Sequence, residues 1–115
     1  MVTDEQNKVF LWGINNIPKR KNMISIVAKF TVKTGNEEKF LTLTEKLVAA
    51  SRAEAGCVGY SLNKHVEKEN TYCMLEQWKD QAAVDAHNAS SHFTSIIPQI
   101  VELAGVEVDV YQPVK

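Results

Sequence analysis

Hydrophobic and polar residues alternate along four stretches of the chain, and this alternation predicts strands. Apolar side chains occupy every second position of residues 23–33, which is the period of a strand with one buried face. The same period predicts strands over residues 57–65 and 71–78, joined by the charged turn 67–70. Three valines alternate with polar residues over 106–111, which predicts a last strand with one face in water.

Between the first two strands the apolar period changes to that of a helix. Residues 36–53 place apolar side chains on one face at helical spacing, so a first helix is predicted there. Thr34 and Glu37 have the spacing of a capping box, in which each side chain satisfies a backbone amide at the start of the helix.

The second helical stretch is predicted to be broken. Asp80 is a natural N-cap for a short helix through Ala89, and Ser90 or Ser91 would cap the next helical turn. The apolar positions beyond this break keep helical spacing until Gly105, which is predicted to end the helix.

The predicted order of elements is βαββαβ, with the second helix broken. This order is typical of the ferredoxin-like α+β fold, an antiparallel sheet with helices on one face. Val27 and Leu75 would point away from the helices, so the uncovered face of the sheet is partly apolar. We therefore expect a homodimer in which a second copy covers this face.

Residues 1–22 are predicted to be an N-terminal extension, followed by one domain over residues 23–115. Composition changes at residues 15–22, where polar, basic and proline residues resemble a linker. The apolar run 9–12 would either pack on the domain, as an edge strand or as cover for an apolar patch, or form a disordered leader, and we favour packing. The run is too short for a signal sequence or a membrane span. We therefore expect a cytoplasmic protein.

Composition and charge exclude several classes of partner. The 115 residues suit one domain, and a formal net charge of -1 offers no field to attract nucleic acid or an anionic membrane. In the predicted hairpin Cys57 and Cys73 lie several residue pairs apart, so they are expected to be free thiols without a redox or metal role.

Candidate chemistry concentrates where the third strand meets the following helices. Trp78 ends a row of alternating residues on one face of that strand, and His87 lies at the edge of the next helix's apolar side. A neutral imidazole there would suit a general base, although a buried structural histidine has the same pattern. The chain has no glycine-rich phosphate loop, and no carboxylate cluster completes a metal site with His87 and His92, so no metal or cofactor is expected.

Four segments follow one another in a characteristic order. They are Arg52-Ala-Glu54-Ala-Gly56-Cys-Val-Gly-Tyr60, Glu76-Gln-Trp78-Lys-Asp80, Ala86-His87 and Ser91-His92-Phe93. Together they resemble the antibiotic biosynthesis monooxygenase family, over about residues 23–111. The resemblance implies a dimeric α+β barrel whose pocket lies between the sheet and the helices and, for many members, oxygenation without metal or flavin. Quinol monooxygenases show the Glu-x-Trp and His-x(4)-His-Phe patterns most nearly as they stand here.

We therefore expect a cofactor-independent monooxygenase that oxidises a small hydroxylated aromatic, a quinol or an anthrone-like compound, with O2. His87 would act as the base, helped by His65 or His92, and the Trp78 N–H would hold the developing oxyanion. Apolar side chains would form the pocket walls. The expected substrate-binding residues are Phe30, His65, Tyr72, Met74, Glu76, His92 and Phe93.

Three other functions fit the same pattern. A non-catalytic dimeric protein would use the pocket to bind an aromatic metabolite, because this fold does not dictate chemistry. Haem-degrading members of the family use an asparagine on the first strand, but Ala28 stands at that position and weakens this interpretation. A branch that handles signalling sugars is not excluded by any residue of the chain.

Overall fold

The computed structural model describes residues 22–114, which form a four-stranded antiparallel sheet with three helices. The sheet order is β2-β3-β1-β4, so β1 and β3 are central. The predicted ferredoxin-like α+β fold is confirmed, and its second helix is divided in two. The elements are β1 (Ile24–Val32), α1 (Glu37–Arg52), β2 (Cys57–Lys64), β3 (Thr71–Trp78), α2 (Gln81–Asn88), α3 (Ser91–Leu103) and β4 (Ala104–Tyr111).

Alternation along β1 and β3 builds the core on the helix side of the sheet. The two strands pair so that Ile24 faces Trp78 at one end and Phe30 faces Tyr72 at the other. Phe40 of α1 is fully buried and lies 5.3 Å from the Phe30 ring centroid and 5.2 Å from that of Tyr72. The centre of the core therefore lies under α1, and Trp78 marks the other end of the sheet.

The start of α1 differs from the predicted capping box. Gly35 adopts a positive φ of 89°, and the helix begins after Asn36, which makes no side-chain capping bond. Thr34 therefore lies outside the helix, and the Glu37 carboxylate accepts a hydrogen bond from the Tyr72 hydroxyl instead. The capping-box prediction was wrong because the glycine turn moves the helix start beyond the reach of Thr34.

The break between α2 and α3 is confirmed, but the predicted end of α3 is not. Leu103 is the last helical residue, and Ala104 already belongs to β4. Gly105 pairs with Thr31 of β1 inside the sheet. The chain thus passes directly from α3 into β4, and Gly105 lies in the strand and does not form a left-handed helix cap.

The face of β4 that was expected to be buried is exposed to solvent in the single chain. Val106, Val108 and Val110 are exposed to 37%, 56% and 61%, although they lie opposite buried or half-buried positions of β1. On the helix-free face Leu75 is also exposed, to 46%. One copy of the chain therefore leaves apolar surface uncovered on its edge strand and on the free side of its sheet.

The two cysteines are free and far apart, as predicted. Cys57 pairs with Trp78 and Cys73 pairs with Asn63, so the two lie toward opposite ends of the β2–β3 hairpin.

Predictions about residues 1–21, including packing of the apolar run 9–12, concern residues that lie outside those described. The division of the chain into an extension and a domain therefore stays a prediction. Among residues 22–114, the helices are too short or too polar to cross a membrane.

A close approach at Gly56 joins the start of β2 to α2. A Cβ atom at Gly56 would lie 2.3 Å from the Cβ of Ala83, and the Gly56 carbonyl accepts the Lys79 N–H at 3.0 Å. We expect Gly56→Ala to lower the free energy of unfolding by about 1–3 kcal/mol, because α2 must move away from the sheet. Urea unfolding measures this loss. Gly59→Ala is the matched control, since a Cβ there meets nothing within 4 Å; equal stability losses in both variants would contradict the account.

Candidate active site

Two capping residues place the histidines of α2 and α3 beside each other. The Asp80 carboxylate accepts the Ala83 N–H at 2.9 Å and begins α2 after β3. Ser90 separates the helices, since its hydroxyl donates to the His87 carbonyl at 2.7 Å and accepts the Phe93 N–H at 3.2 Å. This tight link between two capped helices brings His87 and His92 to the same end of the sheet.

His87 lies inside a box of aromatic rings. Its side chain is almost fully buried, with a relative exposure of 1%. The centroid of its ring lies 4.4 Å from that of Trp78, 5.1 Å from that of Phe93 and 5.5 Å from that of Tyr60. Contacts at this range from β2, β3 and α3 fix the orientation of the imidazole.

One carboxylate oxygen bridges the two histidines. Oε2 of Glu54, on the segment between α1 and β2, lies 2.7 Å from Nδ1 of His87 and 2.7 Å from Nε2 of His92. An ionised carboxylate only accepts hydrogen bonds, so each of these nitrogens carries a hydrogen. In neutral His87 the remaining nitrogen, Nε2, then has a free lone pair.

The surroundings of His87 favour its neutral form. Burial lowers the pKa of His87 below its ordinary value, and the hydrogen bond and charge of Glu54 offset this only in part. Nε2 of His87 is buried and has no hydrogen-bond partner among residues 22–114. His87 is therefore an oriented neutral imidazole whose basic nitrogen is unoccupied, as a general base requires.

The indole of Trp78 is held by a neighbouring carboxyl. Its Nε1–H donates to Oε1 of Glu76 at 2.9 Å, and Glu76 is only 8% exposed. Burial raises the pKa of Glu76 to about 7, with the Trp78 hydrogen bond opposing this and the charge of Glu54 adding to it. The N–H expected to hold a substrate oxyanion is therefore bonded to Glu76 in this conformation.

Five of the nine predicted site residues form one cluster, and three others lie elsewhere in the core. Phe30 and Tyr72 pack on Phe40 under α1, and Met74 lies between the two groups on β3. The Tyr72 hydroxyl donates to the Glu37 carboxylate and is therefore not free to bind a substrate. The three side chains are core residues away from the Trp78 end of the sheet, because β3 spreads its helix-facing row along its length and Phe30 pairs with Tyr72. The clustered residues are Glu76, Trp78, His87, His92 and Phe93.

His65 lies at the far end of the β2–β3 hairpin. Its Nδ1 accepts the backbone N–H groups of Glu67 at 3.0 Å and Lys68 at 2.9 Å, and the backbone N–H of His65 donates to the Thr71 carbonyl. Thr71 and Trp78 are the two ends of β3, about 23 Å apart at the usual rise of a strand. His65 therefore orders the turn and is too distant to help His87.

Glu54 and Tyr60 were not predicted as site residues. Glu54 follows the end of α1 and belongs to no periodic pattern, so periodicity gave no reason to select it. Burial raises the pKa of Tyr60, as does the nearby charge of Glu76. The expectation that no carboxylate completes the histidine pair was wrong, since Glu54, His87 and His92 place ligand atoms within 4.8 Å of one another. The available signal was the family-like segment 52–60, which contains both residues.

The His87 cluster is mostly buried, and its Glu54 and His92 side chains are partly exposed, to 16% and 21%. A depression of about 370 Å³ adjoins the cluster, since Tyr60 and Glu76 line it together with residues of the helix-free face such as Leu75. The cluster therefore borders this depression through Tyr60 and Glu76, while Nε2 of His87 itself is buried.

Comparisons with known proteins find similar sequences and similar structures. Residues 23–99 match the family model described as antibiotic biosynthesis monooxygenase. "Putative monooxygenase YcnE" of Bacillus subtilis (strain 168) is 42% identical over 88 residues, which cover 76% of this chain and 93% of that protein. A conserved protein from Methanosarcina mazei Go1 has a TM-score of 0.78 at 32% identity, covering 81% of this chain and 94% of that chain.

A more distant structure shares the fold alone. A variant of SnoaB, a cofactor-independent oxygenase from Streptomyces nogalater, has a TM-score of 0.74 at 21% identity. The match covers 82% of this chain and 95% of that chain.

Proposed function

Because the chain belongs to the antibiotic biosynthesis monooxygenase family, we propose that it is a monooxygenase that uses O2 to oxidise a small hydroxylated aromatic. The substrate we propose is a quinol or an anthrone-like compound, and the reaction needs no bound cofactor. One observation carries this proposal: buried His87 is oriented by Glu54 through Nδ1, while its Nε2 has no partner among the described residues. A base oriented by a carboxylate in this way suits abstraction of a proton from an acidic phenol or enol.

The proposed reaction balances without an external reductant. Nε2 of His87 removes a proton from the substrate, and the resulting electron-rich anion reduces O2 and forms a carbon–oxygen bond. The oxygen–oxygen bond then breaks, and one oxygen stays on the product, as a carbonyl from an anthrone or as a ring hydroxyl from a quinol. The other oxygen leaves as water with the two hydrogens lost by the substrate. The substrate supplies all four electrons, so the protein has to supply a base, an orientation and a dry site.

The indole of Trp78 is proposed to stabilise the substrate anion. Its ring lies beside His87, so an oxygen that gives its proton to His87 would lie near the indole N–H. Because that N–H now donates to Glu76, the substrate oxygen would have to replace the Glu76 carboxyl as its acceptor. Phe93 and Tyr60 would contact the aromatic part of the substrate, since both rings already pack against His87.

We also propose that the working form is a homodimer. Members of the family commonly form homodimers and act on small molecules. In the single chain Leu75 and the three valines of β4 are exposed, and a second copy would cover these apolar groups.

The experiment that tests the proposed function measures O2 consumption with a panel of quinols and anthrones. We expect at least one compound to cause enzyme-dependent O2 uptake, with one O2 consumed for each substrate oxidised. Thermal shift on the same panel gives an independent measure of binding, because a ligand that binds the folded state raises the melting temperature. Compounds that raise the melting temperature but never consume O2 would instead support a non-catalytic binding protein.

A further inference from the structure

Three potential metal ligands converge from three separate parts of the chain. Glu54 follows α1, His87 lies on α2 and His92 lies on α3, and their ligand atoms are all within 4.8 Å of one another. The Glu54 oxygen already lies 2.7 Å from one nitrogen of each imidazole. Two imidazoles and one carboxylate form the protein ligand set of many catalytic zinc sites.

No lysine or arginine among residues 22–114 forms an ion pair with the Glu54 carboxylate. Its ion-pair partners in this part of the chain are His87 and His92. A bound dication would supply the missing positive charge.

We propose that Glu54, His87 and His92 form a binding site for a divalent transition-metal ion, with Zn²⁺ the best fit. Nitrogen ligands favour such an ion over Mg²⁺ or Ca²⁺. Three protein ligands and one water complete the four-coordinate tetrahedral shell of a catalytic Zn²⁺ site.

Zn²⁺ binding requires the three ligand atoms, now within 4.8 Å of one another, to take up tetrahedral spacing. Bonds of about 2.0–2.1 Å in a tetrahedral site hold ligand atoms about 3.4 Å apart. The Glu54 oxygen would therefore move away from each nitrogen by about 0.7 Å as the ion enters. Glu54 and His92 are partly exposed, so this movement and a water molecule in the fourth position are both accommodated at the solvent side.

Metal occupancy and the proposed base would exclude each other, a consequence that rests on the proposed function. Zn²⁺ would take Nδ1 of His87, and the hydrogen of the neutral ring would move to Nε2. That nitrogen could then no longer accept a proton from a substrate. The metal site itself depends only on binding and stands whether or not the protein consumes O2.

Calorimetric titration of the EDTA-treated, dialysed full chain with ZnCl₂ tests the site. We expect one ion per chain, and we expect His92→Ala and Glu54→Gln each to weaken binding by about 100-fold. His65→Asn is the matched control because His65 is the third histidine of the chain and lies in the β2–β3 turn. It should bind Zn²⁺ as the wild type does. Circular dichroism checks that each variant is folded.

Titration with Co²⁺ adds a spectroscopic signature. A tetrahedral Co²⁺ site gives strong visible absorption bands, which we expect in the wild type and in His65→Asn but not in His92→Ala. Absence of Zn²⁺ binding in the wild type, or equal binding in folded Glu54→Gln, would overturn the proposal. Oxygen uptake by the metal-free protein is measured separately, so a failed metal site and a failed oxygenase give different results.

Discussion

Replacing His87 with alanine is expected to slow the proposed O2 uptake by about 10²- to 10⁴-fold, the usual contribution of a general base. The reason is that His87 places an unpartnered basic nitrogen beside Trp78 within an aromatic box. No other histidine is equivalent, because His92 is partly exposed and bonds Glu54 through its Nε2, whereas His65 lies in the distant turn. Steady-state O2 uptake under saturating substrate measures the loss.

A second variant separates the loss of the base from damage to the fold. His87→Asn retains a donor near the position of Nδ1, which can still bond Glu54, but it removes the nitrogen corresponding to Nε2. We expect this variant to fold and to be as slow as His87→Ala. His65→Asn, whose amide oxygen can replace Nδ1 as acceptor in the turn, should keep wild-type activity. A folded His87→Asn protein with the wild-type rate would remove His87 from the mechanism.

Stability should depend on pH through Glu76, and this is the largest expected effect on folding. Burial raises the pKa of Glu76 from 4.5 to about 7 in the folded state. Well below pH 4.5 the group is protonated in both states and costs nothing. As the pH rises from 4.5 to about 7, the unfolded chain ionises while the folded carboxyl stays protonated, so stability falls over this range and is level above it. The full difference corresponds to about 3 kcal/mol.

The matched variant Glu76→Gln isolates this contribution. Glutamine keeps an acceptor for the Trp78 N–H and cannot ionise, so its stability relative to wild type should rise by about 3 kcal/mol between pH 4.5 and 8. The comparison is needed because His87, whose pKa is lowered by burial, changes stability in the opposite direction as it titrates. Urea unfolding over this pH range measures the difference. A difference that does not vary with pH would contradict the burial of an ionisable carboxyl.

The fold was largely readable from local patterns. Alternation over residues 71–78 gives β3 its exact bounds, and Asp80 and Ser90 act as the predicted caps of α2 and α3. Such signals succeed because strand period and N-cap chemistry are local properties. The capping box at Thr34 failed because Gly35 offered a competing turn. The solvent exposure of the β4 valines could not be predicted either, because it depends on how far the helices extend across the sheet.

The candidate site was readable only in part, for a physical reason. Trp78, His87 and Phe93 lie close together because they flank one strand-to-helix junction, which the sequence displays directly. Glu54 is 33 residues away from His87 along the chain, and only the return of the chain from α1 to β2 brings it to Oε2···Nδ1 contact. Conversely, Tyr72 shares a face with Trp78 but lies at the other end of β3. Two side chains on the same face of a strand therefore point to the same side of the sheet, but they need not be close enough to form one site.

The most direct test of the oxygenase account is the fate of isotopically labelled O2 in metal-free protein supplied with a quinol or anthrone that it turns over. We predict that mass spectrometry finds one labelled oxygen atom in each product molecule and the other in water. We also predict that label enters the product at least about 100-fold more slowly with folded His87→Asn. A product that carries no labelled oxygen, or equal labelling rates with and without His87, would contradict the account.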